Sequence, residues 1–135
     1  MNDQQIKLFG SRGSDDWATP KWLYDLLDAA FNFNLDPCPL NPQEDGLLLE
    51  WNGSIFVNPP YSNVKGFLEK AEVEFESGRA HTIVFLVFAN TDTQWYHRYI
   101  YGKYKVVPIE GRLKFGDGKG VAMRPSIVCI RKRFE

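Results

Sequence analysis

The chain is poor in cysteine, histidine and excess charge, and it has no long hydrophobic run. Each shortage removes a class of function. Two cysteines, Cys38 and Cys129, are too few for a disulfide framework and match no zinc spacing. They read as small buried side chains in a reducing compartment. His81 and His97 form no constellation with paired carboxylates or thiols, so no metal is expected. No apolar run approaches membrane-spanning length, and "MNDQQIKLFGSRGSDD" lacks the apolar core of a signal peptide. A soluble, cytoplasmic protein with no membrane partner is expected. The net charge of −1 gives no global pull toward nucleic acid, so such a partner needs a local basic patch.

What is present is a folding composition. Hydrophobic residues are 44% of the 135 and aromatics 15%, enough for the core of one domain. Residues 1–15 are polar and read as a mobile arm; ordered structure is expected over 16–135. In "WATPKWLYDLLDAAF", Thr19 suits a helix N-cap and Pro20 the first helical position, with Leu23, Leu26, Leu27, Ala30 and Phe31 on one face. "FNLDPC" reads as a short strand halted by Pro37, and residues 39–53 as a long loop with room for a short strand. "SIFVNPP" is a strand, and in "SNVKGFLEKAEVEFESG" Val64, Phe67, Leu68, Ala71 and Phe75 share one helical stripe before Gly78. "TIVFLVFA" predicts a central parallel strand buried on both faces, followed by a short aromatic helix in "TQWYHRYIYG". "YKVVPIEGRLKF" and "SIVCIRKRF" close the chain as strands around a glycine-rich connection. The order is α/β, and ligands of open α/β sheets sit beyond the carboxyl ends of the strands.

Two strands end oddly there, in "DPC" and "NPPY". Asn58 offers an amide carbonyl, and Pro59 and Pro60 fix it in place without donating hydrogen bonds of their own. Two fixed acceptors, the side-chain oxygen and a nearby backbone carbonyl, would hold both hydrogens of an exocyclic amine and make its nitrogen more nucleophilic. Tyr61 offers a face on which a flat base can stack. Asp36 can pair with an ammonium or a ribose hydroxyl, while the helix start at Thr19–Pro20 suits a carboxylate. Together these groups fit an amino-acid-bearing methyl donor beside an amine-bearing base.

The segments "DDWATPKWLYDLLDAAF", "LDPCPLN", "LLLEWNGSIFVNPPYSNVKGFLEKA" and "TDTQWYHRYI" resemble, in order, the small phage-type DNA adenine-N6 methyltransferases, as do "IEGRLKF" and "RPSIVCI". The resemblance implies a reduced Rossmann-like methyltransferase sheet with helices on both faces, S-adenosylmethionine as donor, double-stranded DNA as partner and a phage or prophage product in a bacterial host. It implies one methyltransferase domain over 16–135. It places Asn58, Pro59, Pro60 and Tyr61 around the target adenine, and Trp17, Thr19, Pro20, Asp36, Pro37 and Cys38 at the donor. The glycine-rich donor loop of the wider superfamily is replaced by "DPCPLN", and Glu44, Asp45 and Glu50 are all open as the ribose-binding acid. Arg112, Lys114, Lys119 and Arg124 supply the basic patch for DNA, next to a mobile Gly116–Gly120 stretch.

Other readings use the same residues. The acceptor loop would also serve cytosine N4, the nearer alternative, or a protein glutamine amide, against which the whole-chain resemblance argues, and the chain could be a non-catalytic DNA-binding module derived from such an enzyme. Pro37–Cys38 is also the dipeptide of cytosine-C5 methyltransferases, but there the cysteine follows the strand that here ends in NPPY.

Overall fold

A computed structural model describes residues 18–39, 42, 44–114 and 124–133. Trp17, Lys119, the 1–15 arm and the Gly116–Gly120 stretch lie outside the described residues. Helix α1 spans Lys21–Phe31 and buries Leu23 and Leu27, one turn apart on the face the periodicity marks. Leu26 of the expected face instead stands 62% exposed. The helix begins one residue later than expected. Pro20 has ψ 134, which is not helical, so it is the cap and its carbonyl receives Leu23 N and Tyr24 N at 3.1 and 3.0 Å. The cap has no side-chain hydrogen bond, and the Thr19 hydroxyl is engaged elsewhere.

Strand β1 (Gly53–Val57), helix α2 (Val64–Glu76) and strand β2 (Ala80–Phe88) form one crossover unit with β1 and β2 parallel, Val57 opposite Phe85. The side chain of Asn63 caps α2 by accepting from Gly66 N at 3.1 Å, and Gly78 follows the helix with φ +86, a conformation that only glycine takes without strain. Strand β3 (Lys105–Pro108) and strand β4 (Ser126–Lys132) complete a mixed sheet of order β1-β2-β4-β3, with β4 antiparallel to both neighbours. β2 is central and buried as expected, but it is parallel only to β1. The "FNLDPC" strand reduces to a single parallel bridge, Leu35 to Ile55, beside β1, because Pro37 stops pairing two residues later. Among the described residues of the 39–53 loop there is no strand before β1, only a 3₁₀ turn at Gly46–Leu48.

Alternation along the strands builds two apolar layers. Ile83, Phe85 and Val87 of β2 face α2, with Phe67, Leu68 and the fully buried Trp51. Val84 and Leu86 face the other way, onto Leu23 and Leu27 of α1 with Phe56 of β1. The two helices therefore cover opposite faces. Trp95 and Tyr96 pack against the α2-side layer, where the chain makes a π-turn, Tyr96–Ile100, closed by Tyr101 N to Tyr96 O at 2.9 Å.

At the amino end of the sheet one buried acid ties separate segments together. Glu74, 2% exposed, accepts from Trp51 N at 3.0 Å and from Arg79 Nε and Nη2 at 2.7 and 3.0 Å, with Lys70 Nζ at 3.1 Å. The Arg79 guanidinium, helped by the Trp51 amide and Lys70, draws the Glu74 carboxyl down to about 2 against the opposing effect of burial. Trp51 Nε1 in turn donates to Gly46 O at 3.0 Å, and a Cβ on Gly46 would lie 1.8 Å from Pro37 O. That close approach anchors the long loop against the DPC turn, and no residue other than glycine fits there.

Because β3 runs in the direction of β2, the carboxyl ends of β1, β2 and β3 open on the same edge. Asn58, Phe88 and the segment leaving Pro108 all emerge there. That edge carries the candidate site. No helix among the described residues is long and apolar enough to cross a membrane.

Candidate active site

Three separate segments meet at the end of β1. Asn58 follows the last paired residue of the strand, and Asn58 Nδ2 donates to Thr19 Oγ1 at 2.9 Å, across 39 positions of sequence. Cys38 Sγ donates to the Asn58 main-chain carbonyl at 3.2 Å. Asp36 Oδ1 accepts from Cys38 N at 3.1 Å, forming the Asx turn that redirects the chain at Pro37. The turn before α1, the DPC turn and the NPPY loop are thus joined by side-chain hydrogen bonds, with Asn58 at the junction.

These groups line a cleft of about 350 Å³, formed by Ala18, Thr19, Lys21, Tyr24, Asp36, Cys38, Pro39 and Asn58. Its volume falls at the lower end of small-molecule sites, roughly 300–1,000 Å³. Burial pushes the Asp36 carboxyl above the usual carboxylate range, and the hydrogen bond from the Cys38 amide, which lowers it, does not compensate. Burial also raises the Tyr24 hydroxyl, followed by the charges of Asp28, Asp36 and Asp25. Lys21, also in the lining, is exposed and bridges to Asp25 at 2.5 Å. The cleft therefore carries a desolvated carboxylate and an ammonium, the complement of a zwitterion.

On the other side of Asn58, Pro60 leads into a 3₁₀ turn, Tyr61–Asn63. Tyr61 is 44% exposed, so its ring is partly accessible from solvent. Its edge meets Phe88 of β2 at 5.6 Å, and its hydroxyl accepts from Arg124 Nη1, whose guanidinium carbon sits 5.5 Å from the ring centre. Pro59 is buried beneath the loop. Arg112 and Lys114 are exposed on either side of the buried Leu113, on the segment that leaves β3 at this edge.

A family profile described as DNA N-6-adenine-methyltransferase (Dam) matches residues 10–132. The chain belongs to this Dam family. It is similar, at 30% identity over 95 residues, to the DNA N-6-adenine-methyltransferase of Haemophilus phage HP1 (strain HP1c1), over 61% of this chain and 54% of that protein. The chain spans about half the length of that relative. No solved structure matches it.

Among the described residues, four of the positions singled out from the sequence meet in one cleft. Thr19, Asp36, Cys38 and Asn58 share the cleft, while Tyr61 and Arg124 form a second group beside it. Pro20 and Pro37 are buried behind the lining. The three acids open for the ribose do not line the cleft among the described residues. Glu44 is exposed, Asp45 caps the Gly46–Leu48 turn by accepting from Leu47 N at 3.0 Å, and Glu50 accepts from Asn52 Nδ2 at 3.4 Å. Arg131 and Arg133, which swell the basic count of the C-terminal third, stack on Phe75 at 4.2 Å, and Arg131 also bridges to Glu72, so both belong to the scaffold. Lys21 and Tyr24 line the cleft although no motif marks them. Their spacing of three, from the first helical position, is the signal that both face one side. No group of three His, Cys, Asp or Glu among the described residues could hold a metal ion.

Proposed function

We propose that this chain is a DNA adenine-N6 methyltransferase that uses S-adenosylmethionine and acts on double-stranded DNA. The observation that carries the reading is the hydrogen bond from Asn58 Nδ2 to Thr19 Oγ1, which seats the acceptor amide against the wall of the zwitterion-complementary cleft. Membership of the Dam family and the name of the phage relative support the chemistry. The two-sided α/β arrangement, with its site beyond the carboxyl strand ends, supports a reduced Rossmann-like sheet over residues 16–135.

The lining fits the donor. Asp36 is suited to pair with an α-ammonium, and Lys21 with the main-chain amides that open α1 to take the carboxylate. Pairing would return to Asp36 the stabilisation that burial removes, which is why a desolvated acid suits this position. When bound, the donor supplies a methyl carbon already activated by its positive sulfur. The chain's task is then to orient and polarise the amine. Asn58 turns Nδ2 toward Thr19 and therefore Oδ1 away from it, where it accepts one N6 hydrogen, while a backbone carbonyl beside it takes the other. Both acceptors are fixed before the base arrives, Pro59 and Pro60 holding the main chain. Tyr61 stacks on the extruded adenine, whose removal from the duplex costs a few kcal/mol. Arg112, Lys114 and Arg124 stand at the same edge to meet phosphates, which position the duplex without reading its sequence.

The test is transfer of label from methyl-labelled S-adenosylmethionine to unmethylated duplex DNA, followed by digestion to nucleosides. Label is expected in N6-methyldeoxyadenosine. Label in N4-methylcytosine would reassign the base, and DNA binding without transfer would make the chain a binding module.

A further inference from the structure

Asn58 can polarise an amine only if its oxygen, and not its nitrogen, faces the target. The two ends of a side-chain amide are almost the same shape but opposite in hydrogen-bonding sense. Pro59 and Pro60 fix the main chain, yet they do not set the terminal torsion of Asn58, since such sp³–sp² torsions are broad and roughly two-fold. Something outside the NPPY loop has to set it. Thr19 does so geometrically, its Oγ1 accepting from Nδ2 at 2.9 Å. The hydroxyl is spared for this because the cap of α1 is Pro20, one residue on, and the cap makes no side-chain hydrogen bond. Its place is set by a rigid element, since α1 is pinned to the sheet through Leu23 and Leu27. The Cys38 thiol holds the same residue from the other side through the Asn58 carbonyl.

Resting on the functional reading above, we propose that Thr19 is a positioning residue that fixes the orientation of the Asn58 amide and thereby controls the acceptor step rather than donor affinity. This departs from a direct role for the hydroxyl on the donor carboxylate. Thr19→Val keeps the shape and removes the acceptor, and Thr19→Ser keeps the acceptor. Thr19→Val is expected to lower kcat about 10- to 100-fold, up to the loss that a 1 Å misplacement of a reacting group can cause. Affinity for S-adenosylhomocysteine, measured by calorimetry, should stay within about threefold, and Thr19→Ser should restore kcat to within about twofold. On an Asn58→Ala background, Thr19→Val should have no further effect on kcat, because the group it acts through is gone.

An unchanged kcat in Thr19→Val overturns the proposal. So does a loss that matches a fall in donor affinity, or one that persists in full without Asn58. If circular dichroism shows that Thr19→Val does not fold, Thr19→Ala serves in the same cycle with the same expected outcomes. A wild-type chain that transfers no methyl group sinks the functional reading itself. An active wild type with an equally active Thr19→Val sinks this inference alone.

Discussion

The two ends of the sheet treat a buried carboxylate in opposite ways. At the amino end Glu74 is surrounded by Arg79, Lys70 and the Trp51 amide, and its carboxyl is drawn down to about 2. At the carboxyl end Asp36 accepts from the Cys38 amide, and burial pushes its carboxyl up. The first arrangement is saturated and joins α2, the stretch before β1 and the residue before β2 into one block. The second gives an acid in the lining of a cleft one backbone hydrogen bond and, among the described residues, no cationic partner. The saturated acid belongs to the scaffold, and the acid with the raised pKa is the one that lines the candidate cleft.

The largest expected effect comes from breaking the saturated end. Glu74→Ala should destabilise the fold by about 3 kcal/mol, since it leaves the Trp51 amide buried without its partner and Arg79 without its counter-charge. Denaturant titration measures the loss. Because the folded pKa is depressed, the stabilisation from Glu74 is complete above its ordinary value of 4.5 and drains away as the pH falls toward about 2. The wild type should therefore weaken across that window and the variant should not.

At the other end the sign reverses. The raised pKa of Asp36 means that the folded state binds its proton more tightly than the unfolded state, so the charge is a cost to the fold at neutral pH. Asp36→Asn should leave stability unchanged or slightly higher, while donor affinity falls about 10- to 100-fold as a charge-assisted pair disappears. Wild-type donor affinity should also decline on acidification, starting above the usual carboxylate range. Calorimetry from neutral pH downward, with melting curves at each pH, separates the two effects. A variant that loses stability and keeps donor affinity would make Asp36 part of the scaffold.

The smallest effect sharpens the edge where DNA is expected. Replacing Arg112 and Lys114 by alanine should weaken binding to all sequences alike and reduce the slope of log affinity against log salt by about 2, roughly 0.9 for each phosphate left without its cation. Fluorescence anisotropy on two unrelated duplexes, from about 50 to 200 mM salt, gives that slope. A weakening confined to one sequence would assign these residues to base reading instead.

Much of this comparison is legible in the sequence at the carboxyl end and almost none of it at the amino end. Prolines punctuate, so "DPC" and "NPPY" announce where strands have to stop and what they carry outward. The apolar stripe of α2 is equally plain. Glu74 is not, although it lies three residues after Ala71 and seven after Phe67 and so falls on the buried face. A charge there reads as an error of periodicity until Arg79 and Trp51 are seen to converge on it. Thr19 looks like the helix cap, one position too early, because its hydroxyl suits that task. Only the fold reveals that Asn58, 39 residues later, comes to occupy it. The ribose-binding acid stays open for a similar reason, since Asp45 and Glu50 are each engaged locally and local sequence cannot show which acid faces a cleft.

The most direct test is to measure methyl transfer and donor affinity together in Asn58→Ala. If the carboxyl end is an amine-activating site with the donor held next to it, turnover on duplex DNA should fall on the order of 10²–10³ while the Kd for S-adenosylhomocysteine stays within about threefold. Transfer at the wild-type rate would mean that the NPPY loop only caps a strand, and that this edge is not an active site.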